Sequence, residues 1–450
     1  MERKTAALLT LGCRLNQADT ALLCDRLKRM GFEIVPVDSP RSPNLIIVNS
    51  CTVTASAFKK SKQSLRAVRA ENPQSFIVLT GCAADVDAEK LSSCDDCDLL
   101  LPNESKKDIE RILPRYLASL SRNSEIPSLA GAVENGVYHE NALSVFPFRS
   151  RAILKIQEGC NQCCTYCVVP RARGRERSRD LEETLRDFRN FVDSGFQEIV
   201  LSGVHLCSYR SGSTDLAGLL ERLVAMEGNF RIRIGSTEPG PMVAHLLKVM
   251  AKYPDRICPF LHMPLQNGSD RILRAMGRRC LTAEYADYVD QARSLLPRIH
   301  IGSDIIIGFP GETEQDFADS FQFLEKTAFA NLHVFPFSPR EGTPAAEKKD
   351  SCPPPAVLAD RIERMKKLRE QSMRRYAESL LGSEEYVLPE TKRAPGVWEG
   401  WSGNYVKTRI RSRTPLAKKL LRIRFVSFGA DGVLEALPLP SPAEEKTGKL

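Results

Sequence analysis

Apolar runs and helical stretches alternate along the N-terminal part of the chain. Three apolar runs, TAALLTLGC, NLIIVNSC and FIVLTGC, each end at a cysteine and predict buried strands. Between them lie TALLCDRLKRMGF, which has helical spacing and a terminal glycine, and SAFKKSKQSLRAVRAENP, an amphipathic helix closed by Asn-Pro. Strand–helix alternation of this kind predicts an α/β domain over residues 1–121, with a parallel sheet and covering helices.

The alternation is then lost and resumes at a longer period. A helix at about 105–120 is followed by a polar stretch, and we place a linker at 122–147. Beyond the linker, apolar segments alternate with helical ones such as LEETLRDFRNFVDSG. The predicted strands cover residues 151–157, 197–204, 230–236, 259–265, 300–310 and 331–338. Six consecutive βα units over 148–381 predict a partial (β/α)6 barrel of the TIM-like kind, with its active residues at the carboxyl ends of the strands.

The C-terminal part combines a long charged helix with short β segments. Residues 355–381 predict a connecting helix, and EEYVLPE, GNYVKTRIRS, KLLRIRFVSFG and GVLEALP predict a small all-β module over 382–442. This module is basic, since ten Lys or Arg residues and one acid, Glu399, lie between Thr391 and Arg424. Such charge is typical of a nucleic-acid-binding surface, although a solvated basic surface would have the same composition.

Composition limits the class of protein. The chain is 42% hydrophobic and 27% charged, with a net charge of +8. No run approaches the roughly 18 apolar residues of a membrane span, and the N-terminus, MERKTAALLTLGC, lacks a small-residue cleavage site. We therefore expect a cytoplasmic protein with no membrane association. Fourteen cysteines in that compartment argue against disulfides and for metal ligation or redox chemistry.

Four of the cysteines fall within eight residues on the loop after the first barrel strand: Cys160, Cys163, Cys164 and Cys167. Cysteine thiolates hold zinc ions or iron–sulfur clusters. Structural zinc usually takes four cysteines from two separated pairs, so adjacent cysteines favour a site with three ligands. Two trios are possible: Cys160, Cys164 and Cys167 as C-x3-C-x2-C, or Cys160, Cys163 and Cys167 as C-x2-C-x3-C.

Three further cysteines, Cys13, Cys51 and Cys82, each follow a predicted strand and are 38 and 31 residues apart. Parallel strands place their carboxyl ends at one edge of a sheet, so these distant thiols should meet. A single strand-end cysteine is usually a small core residue. Three in register indicate a second cluster with three protein ligands and one open iron. We interpret the remaining cysteines, including the Cys94/Cys97 pair in LSSCDDCDLL, as structural.

The two cysteine patterns together resemble those of the radical S-adenosylmethionine methylthiotransferases. The C-x3-C-x2-C spacing, with Tyr166 before the last cysteine, is similar to the motif of that superfamily, and Cys163 departs from it. In the superfamily, three cysteines hold a four-iron cluster whose fourth iron binds the amino and carboxylate groups of the cofactor. The resemblance implies an N-terminal cluster domain, a radical S-adenosylmethionine barrel and a C-terminal TRAM domain, which is an OB-like β-barrel.

The motifs are most similar to the family members that act on threonylcarbamoyladenosine in tRNA. The segments that carry this similarity are TLGCRLNQADT, NSCTVTASA, CVVPRARGRERSR, HMPLQNGSDRILRAMGRR, IIIGFPGETEQDF and HVFPFSPREGTPAA. Members that act on isopentenyladenosine usually have a YGCQMN-like first motif, and those that modify a ribosomal aspartate have SLGCPKN. The resemblance thus implies methylthiolation of C2 of N6-threonylcarbamoyladenosine next to the anticodon. The alternatives are isopentenyladenosine as substrate, or an RNA-binding protein with iron–sulfur or zinc sites and no turnover.

The resemblance also implies cofactors and partners. One S-adenosylmethionine donates a methyl group to sulfur at an auxiliary [4Fe-4S] cluster on Cys13, Cys51 and Cys82. Another is reduced to a deoxyadenosyl radical at a [4Fe-4S] cluster on Cys160, Cys164 and Cys167. The implied partners are a tRNA anticodon stem-loop, an electron donor such as flavodoxin or ferredoxin, and a sulfur source. We expect a monomer.

Other residues receive expected roles from the resemblance and from their places at strand ends. Contacts with the cofactor are expected of Tyr166, Gly203, Ser236, Glu238, Gln266, Ser269, Asp304, Gly308, Gly311 and Glu312. For each side chain, loop capping is the alternative, and Glu312 could favour a helix N-terminus by its charge. Contacts with RNA phosphates are expected of Arg171, Arg173, Arg175, Arg177, Arg179, Arg278 and Arg279, because guanidinium forks suit phosphate. Some of these arginines could instead pair with acids of the barrel. We expect the basic tail to hold the anticodon arm through its backbone.

Overall fold

The computed structural model describes residues 4–92, 95–119, 124–125, 136–140, 143, 150–412, 415–416, 419–429 and 431–440. Most of the predicted linker at 122–147 lies outside these residues. The N-terminal strands are β1 (Thr5–Thr10), β2 (Glu33–Ile34), β3 (Leu45–Ser50), β4 (Phe76–Gly81), β5 (Leu99–Leu101) and β6 (Ser124–Glu125). The helices are α1 (Arg14–Arg29), α2 (Ala55–Glu71), α3 (Cys82–Val86), α4 (Ala88–Ser92) and α5 (Ile109–Ser119), with a 3-10 helix at Asn103–Asp108.

The N-terminal strands form one parallel sheet in the order β2-β1-β3-β4-β5-β6. Every residue of the central strand β3 is buried. Leu27 of α1 and Ile112 of α5 cover one face, while Leu65 and Val68 of α2 cover the other. A strand enclosed on both faces has no solvent-facing side chains, and this explains the unbroken apolar runs in the sequence.

The central part is the expected barrel. Its strands, with the short flanking ones, are β7 (Gly136–Tyr138), β8 (Ala152–Lys155), β9 (Gln157–Glu158), β10 (Arg177–Arg179), β11 (Glu198–Ser202), β12 (Arg210–Ser211), β13 (Thr214–Asp215), β14 (Arg231–Ile234), β15 (Phe260–His262), β16 (His300–Ile307) and β17 (Asn331–Pro336). Its helices are α6 (Val169–Arg173), α7 (Leu181–Asp193), α8 (Leu216–Val224), α9 (Pro241–Lys252), α10 (Asp270–Ala275), α11 (Thr282–Leu295), α12 (Glu314–Thr327), α13 (Pro344–Glu347) and α14 (Pro355–Ser379), with 3-10 helices at Leu206–Ser208 and Lys349–Ser351.

Six of these strands run parallel and follow one another in chain order, β8, β11, β14, β15, β16 and β17. Isolated parallel bridges, such as Ser236 with His262, join the two three-stranded halves. The prediction of a partial (β/α)6 barrel is thereby confirmed. The first predicted strand is split into β8 and β9, and β9 instead pairs antiparallel with β10.

The helix predicted as a connector is part of the barrel core. Met365 and Leu368 of α14 are almost completely buried and join the hydrophobic core of the barrel strands. Arg361 on the same helix is also buried, and it pairs with Glu312. Because α14 lies along β17, it covers the edge of a barrel that lacks two βα units.

The C-terminal strands, β18 (Glu384–Ala394), β19 (Val397–Ser402), β20 (Lys407–Arg411), β21 (Leu421–Phe428) and β22 (Leu434–Pro438), form a closed barrel in the order β18-β19-β20-β22-β21. This small barrel lies against the amino ends of the larger barrel's strands. Arg233 of β14 donates to the carbonyls of Gly403 and Ser402 at 2.8 and 2.9 Å. The carboxyl ends of the larger barrel, where the active residues are expected, point the other way.

None of the described helices is long and apolar enough to cross a membrane. The cysteines among the described residues all have free thiols.

Candidate active site

The first group of sulfurs lies at the carboxyl edge of the N-terminal sheet. Cys51 and Cys82 directly follow β3 and β4, whose last residues, Ser50 and Gly81, are register partners. Cys13 lies just beyond β1 and is the N-cap residue of α1. The sheet edge therefore brings together Cys13, Cys51 and Cys82, called the sheet trio below.

The thiols of the sheet trio are close enough to affect one another's ionisation. Burial, with smaller contributions from the thiols of Cys82 and Cys13, raises the pKa of Cys51 to about 11. Burial also raises the pKa of the Cys82 thiol. Thiols in such a place become thiolates only with a cation or a metal beside them. The sheet trio is thus suited to hold a metal centre.

Two glycines permit the close approach of the strands' ends. Gly12 has a φ of 90°, and a Cβ atom there would lie 2.6 Å from Cβ of Cys51. Gly81 has a φ of 93°, and its Cβ would lie 2.3 Å from the carbonyl oxygen of Ser50. Glycine adopts this left-handed conformation without steric cost. A larger residue at either position would push the cysteines apart.

The second group of sulfurs lies on the loop between β9 and α6. Burial, with contributions from neighbouring thiols, raises the pKa of Cys167 to about 12 and that of Cys160 to about 11. In both cases Cys164 is the largest thiol contributor. Backbone N–H groups of Gln162 and Val169 donate to the sulfurs of Cys160 and Cys167, each at 3.4 Å. Cys160, Cys164 and Cys167 are called the loop trio below.

Cys163 takes no part in the loop trio. Its side chain is exposed, and its sulfur faces the carbonyl oxygen of Asn161 at 3.9 Å. The geometry therefore favours the C-x3-C-x2-C trio over the alternative with Cys163.

Tyr166, Glu238 and Arg278 surround the loop trio. Arg278 forms an ion pair with Glu238, donates to the carbonyl of Pro264 at 2.8 Å and lies 3.9 Å from the sulfur of Cys164. Burial raises the pKa of Tyr166, whose ring meets Phe309 edge-on. The side chain of Arg278 is only 6% exposed, so its predicted contact with RNA is wrong. It neutralises Glu238 beside the sulfurs instead.

Some of the predicted residues at the other strand ends lie at the barrel mouth, and others are held in hydrogen bonds within the protein. Gly203 and Gln266 lie at the barrel mouth: a Cβ at Gly203 would be 2.9 Å from Leu206, and Gln266 has a φ of 79°. A non-glycine residue in this region carries strain, which often marks a functional position. Ser236 is exposed at the same end. Gly308 has a φ of 78° and packs against Leu358 of α14. A Cβ atom at position 308 would lie 2.6 Å from a methyl carbon of Leu358.

Three of the residues expected to contact the cofactor are held in hydrogen bonds within the protein. The buried hydroxyl of Ser269 donates to Asp316 at 2.9 Å. The buried carboxylate of Glu312 accepts from the backbone N–H of Gly308 at 3.1 Å and from Arg361 at 2.8 Å. The N–H of Gly311 donates to Ser351 at 2.8 Å. Glu312 and Gly311 stabilise the turn after β16, and Ser269 joins the start of α10 to α12. Contact of these three residues with the cofactor stays a prediction.

Two histidines that the sequence analysis missed flank Asp304. His262 Nε2 and His333 Nδ1 each lie 3.1 Å from Oδ1 of Asp304. The ligand atoms of these three residues lie within 4.8 Å of one another. Burial opposes ionisation of Asp304, but hydrogen bonds from both histidines hold the pKa of its carboxyl below the ordinary value.

The hydrogen bonds around His333 indicate that this trio is not a metal site. Arg369 donates to Oδ1 of Asn331 at 3.2 Å, so the Asn331 amide nitrogen is left facing Nε2 of His333, also at 3.2 Å. That nitrogen is a donor, so Nε2 accepts and Nδ1 carries the proton that is donated to Asp304. The sequence signal was faint: His262, Asp304 and His333 lie one on each of three adjacent strands.

A buried charge network lies between the sheet and the barrel, and the sequence analysis missed it too. Asp19 of α1 accepts from Lys106 at 3.1 Å, from Lys155 at 2.9 Å and from Arg173 at 3.2 Å. Burial opposes ionisation of Asp19, but these three cations hold the pKa of its carboxyl well below the ordinary value. Asp19 and both lysines line a cavity of about 530 Å³.

The predicted RNA-binding arginines differ in exposure. Arg173 and Arg179 are buried in ion pairs with Glu158 and Asp187. Arg177 is largely covered and pairs with Glu104. For these three the prediction of contact with RNA is wrong, because their guanidinium groups are covered and already paired with carboxylates of the protein. The exposed ones are Arg171, whose guanidinium donates to the carbonyl of Glu341 at 2.6 Å, and Arg175 and Arg279.

Much of the charge of the C-terminal barrel is neutralised internally. Glu399, the one acid between Thr391 and Arg424, pairs with Arg393, Lys407 and Arg409. Glu384 pairs with Arg422 and Arg424. The cations that form no ion pair with another described residue include the exposed Lys392, Arg411 and Lys419. The free positive surface is therefore smaller than the sequence suggests.

The comparisons with known proteins agree with this architecture. Residues 5–102 match the "Uncharacterized protein family UPF0004", and residues 154–324 match the radical SAM superfamily. The chain is 32% identical over 94% of its length to the threonylcarbamoyladenosine tRNA methylthiotransferase MtaB of Bacillus subtilis (strain 168), and covers 94% of that protein. The chain belongs to the radical SAM methylthiotransferase family. It is therefore an enzyme, and the alternative of an RNA-binding protein without turnover is wrong.

Relatives in this family carry two different names. The MtaB of Thermotoga maritima is 33% identical over 90% of this chain and 91% of its own length. The tRNA-2-methylthio-N(6)-dimethylallyladenosine synthase of Thermodesulfovibrio yellowstonii is also 33% identical, over 89% of this chain and 91% of its own. Identity alone therefore does not separate the two substrates.

Among solved structures, the radical S-adenosylmethionine methyltransferase TsrM of Kitasatospora setae is similar in fold. The TM-score is 0.57 at 14% identity, with 77% of each chain covered. This similarity confirms the α/β radical SAM fold.

Proposed function

We propose that this methylthiotransferase acts on N6-threonylcarbamoyladenosine next to the anticodon of tRNA and attaches a methylthio group to C2 of the adenine ring. The observation that carries the proposal is the presence of two separate cysteine trios, one at the carboxyl edge of the N-terminal sheet and one at the barrel mouth. The substrate follows from the sequence motifs and from relatives named for threonylcarbamoyladenosine, which this chain matches over 94% and 90% of its length.

Each trio suits a four-iron cluster. Three thiolates bind three of the irons and leave the fourth without a protein ligand. Three sulfurs are too few for the four-cysteine set that holds a structural zinc ion. The donor sets therefore fit an auxiliary cluster on Cys13, Cys51 and Cys82 and a radical cluster on Cys160, Cys164 and Cys167.

The residues around the loop trio prepare a site for S-adenosylmethionine. A cluster and S-adenosylmethionine bound at the loop trio would supply a deoxyadenosyl radical, and a cluster bound at the sheet trio would supply the methylthio group. We assign cofactor contacts to Gly203, Ser236, Gln266 and Asp304 at the barrel mouth, and a supporting role to Tyr166 and to the Glu238–Arg278 pair. Gly308 keeps the turn after β16 tight against Leu358. Close packing of Tyr166, Phe309 and Phe337 excludes water from one side of the loop trio.

Exposed cations supply the surface for tRNA. Arg171, Arg175 and Arg279 are exposed on the segments that end near the barrel mouth, and Lys392, Arg411 and Lys419 form a second positive surface on the C-terminal barrel. We propose that this barrel is a TRAM-like module that binds the anticodon arm through phosphates. An electron donor such as flavodoxin or ferredoxin and a sulfur source complete the set of partners.

A second candidate substrate is isopentenyladenosine. It is favoured by the similarity to relatives named as dimethylallyladenosine synthases, which reaches 33% identity over 89% of the chain. The substituent on N6 distinguishes the two nucleosides: threonylcarbamoyl is polar and carries a carboxylate, whereas isopentenyl is apolar.

Nucleoside mass spectrometry tests the proposal. The clusters are reconstituted anaerobically, and reductant, sulfide, S-adenosylmethionine and tRNA from a strain that lacks the gene are added before digestion. We expect 2-methylthio-N6-threonylcarbamoyladenosine from the wild type. It should be absent with Cys13→Ala or Cys160→Ala and present with Cys24→Ala, a buried cysteine outside both trios. Methylthio-isopentenyladenosine as the sole product would support the second candidate, and neither product would contradict both.

A further inference from the structure

Arg173 closes the base of the loop that carries the barrel cysteines. Its side chain is 3% exposed, and it donates through Nη1 to Oε1 of Glu158 at 2.6 Å. Glu158 is the last residue of β9 before the loop, and Arg173 is the last residue of α6 after it. This ion pair therefore joins the two ends of the segment that carries the loop trio.

The other guanidinium nitrogen of Arg173 reaches into the N-terminal domain. Nη2 donates to Oδ1 of Asn16 at 2.5 Å and to Oδ2 of Asp19 at 3.2 Å. Both acceptors lie on the first turns of α1, which begins directly after Cys13. Helix α6, which ends at Arg173, also packs against α3, which begins at Cys82. One side chain thus connects the base of the loop trio to the sheet trio.

We propose that Arg173 is a positioning residue that fixes the sheet trio against the barrel and, through its charge beside Cys82, raises the reduction potential of the cluster held by the sheet trio. This inference rests on the proposed function, because it assumes a cluster on Cys13, Cys51 and Cys82. A cation beside a ligand sulfur stabilises the more negative, reduced cluster. The Nη2 atom of Arg173 points away from the loop and toward Asn16 and Asp19 of the N-terminal domain, so the larger effect should be at the sheet trio.

The neighbouring acids do not depend on Arg173 alone. Lys155 lies 2.9 Å from Oδ1 of Asp19 and 3.1 Å from Oε2 of Glu158, and Lys106 lies 3.1 Å from Asp19. Removing the guanidinium therefore leaves both carboxylates with a cationic partner. Cys82, in contrast, loses the cation beside it. The main electrostatic consequence should accordingly appear at the sheet trio.

Redox titration followed by electron paramagnetic resonance tests this role in two parent proteins. The C160A/C164A/C167A parent retains only the auxiliary cluster, and the C13A/C51A/C82A parent retains only the radical cluster. Arg173→Gln and Arg173→Lys are introduced into both parents. Arg179→Gln is the matched control, because Arg179 is equally buried and pairs with Asp187 at 2.7 Å but contacts neither trio.

We expect Arg173→Gln to shift the midpoint potential of the auxiliary cluster to a more negative value and to leave that of the radical cluster unchanged. Arg173→Lys keeps the charge and should restore most of the potential, while Arg179→Gln should shift neither cluster. An unchanged auxiliary potential at full iron content, or an equal shift of both clusters, would overturn the role of Arg173. If Arg173→Gln does not load the auxiliary cluster, the Arg173→Lys variant decides. Because lysine keeps the charge, its auxiliary potential should stay close to that of the parent, and a clearly more negative potential would count against the charge effect. Absence of iron from the C160A/C164A/C167A parent itself would contradict the two-cluster function.

Discussion

Cys163 and Cys164 are adjacent in the sequence but have different surroundings. Cys164 faces Cys160 and Cys167 and lies 3.9 Å from a guanidinium nitrogen of Arg278, whereas the side chain of Cys163 is exposed. The loop can turn only one of two neighbouring side chains toward the other sulfurs. The geometry thereby favours Cys164 over Cys163 as the third member of the loop trio, a choice that spacing alone left open.

We expect Cys164→Ala to abolish the radical cluster and Cys163→Ala to leave it intact. The first substitution removes a proposed ligand, and the second removes an exposed thiol that faces the carbonyl of Asn161. Iron content and the reductive cleavage of S-adenosylmethionine to deoxyadenosine measure the difference. Equal loss in both variants would show that the loop rearranges when iron binds.

Arg340 should hold the N-terminal domain to the barrel. Its guanidinium donates to Oγ1 of Thr52 at 2.6 Å and to Asp87 at 2.7 Å, and the side chains of Arg340 and Asp87 are 8% and 4% exposed. Breaking a buried ion pair by removing one partner costs about 3–5 kcal/mol. We therefore expect Arg340→Ala to lower the unfolding temperature markedly in thermal unfolding.

The control for Arg340 is an exposed arginine of the same part of the chain. Arg364 pairs with Glu314 at 3.3 Å, with side chains 42% and 64% exposed. Exposed pairs contribute about 0–1 kcal/mol, so Arg364→Ala should have a small effect. Equal effects of the two substitutions would show that Arg340 does not join the domains.

His300 should make the protein sensitive to acid. Burial, with the nearby His262 and Arg233, lowers its pKa to about 3, whereas an unfolded histidine has a pKa of about 6.5. Above pH 6.5 both states are neutral and the group contributes nothing to the pH dependence. As the pH falls from about 6.5 toward 3, the unfolded state binds a proton that the folded state does not, so stability is lost at about 1.4 kcal/mol per pH unit.

Replacement of His300 by Phe removes this titration and keeps the stacking on Phe260, whose ring centroid is 5.1 Å away. Between pH 7 and pH 5 we expect the unfolding temperature of the wild type to fall further than that of His300→Phe. The exposed His245 provides the control, and His245→Phe should follow the wild type. Parallel curves for the wild type and His300→Phe would contradict the assignment.

The exposed arginines should carry salt-dependent affinity for tRNA. Arg175 and Arg279 are exposed and form no ion pair with another described residue. Each lost phosphate contact lowers the slope of log K against log salt by about 0.7–0.9. We expect Arg175→Gln/Arg279→Gln to weaken binding and to reduce this slope in filter-binding or fluorescence titrations. Arg177→Gln, which affects an arginine already paired with Glu104, should leave the slope unchanged, and the opposite pattern would place the RNA elsewhere.

The sequence was sufficient to predict the fold and to place the candidate cysteines at strand ends, while their role as cluster ligands stays a prediction. Cys51 and Cys82 could be placed together because parallel strands end at one edge, and that rule needs only the apolar runs before them. The barrel followed from six repeated strand–helix units in the same way. These features depend on local pattern and on chain order.

The environment of the arginines could not be predicted in this way. Arg173, Arg175 and Arg177 alternate along a short stretch, yet Arg173 is buried, Arg175 is exposed and Arg177 is paired with Glu104. Their partners Asp19 and Glu104 come from distant parts of the chain. Burial and ion pairing of this kind arise only when the domains pack. The two histidines beside Asp304 come together only when β15, β16 and β17 pair in register.

Iron analysis tests the central claim most directly. Iron and sulfide are counted, and Mössbauer spectra recorded, for the anaerobically reconstituted wild type and for the C13A/C51A/C82A and C160A/C164A/C167A proteins. Two four-iron clusters predict about eight irons per wild-type chain and about four in each triple variant, because each trio binds its own cluster. About four irons in the wild type, all lost in one triple variant and retained in the other, or zinc in place of iron, would contradict the claim.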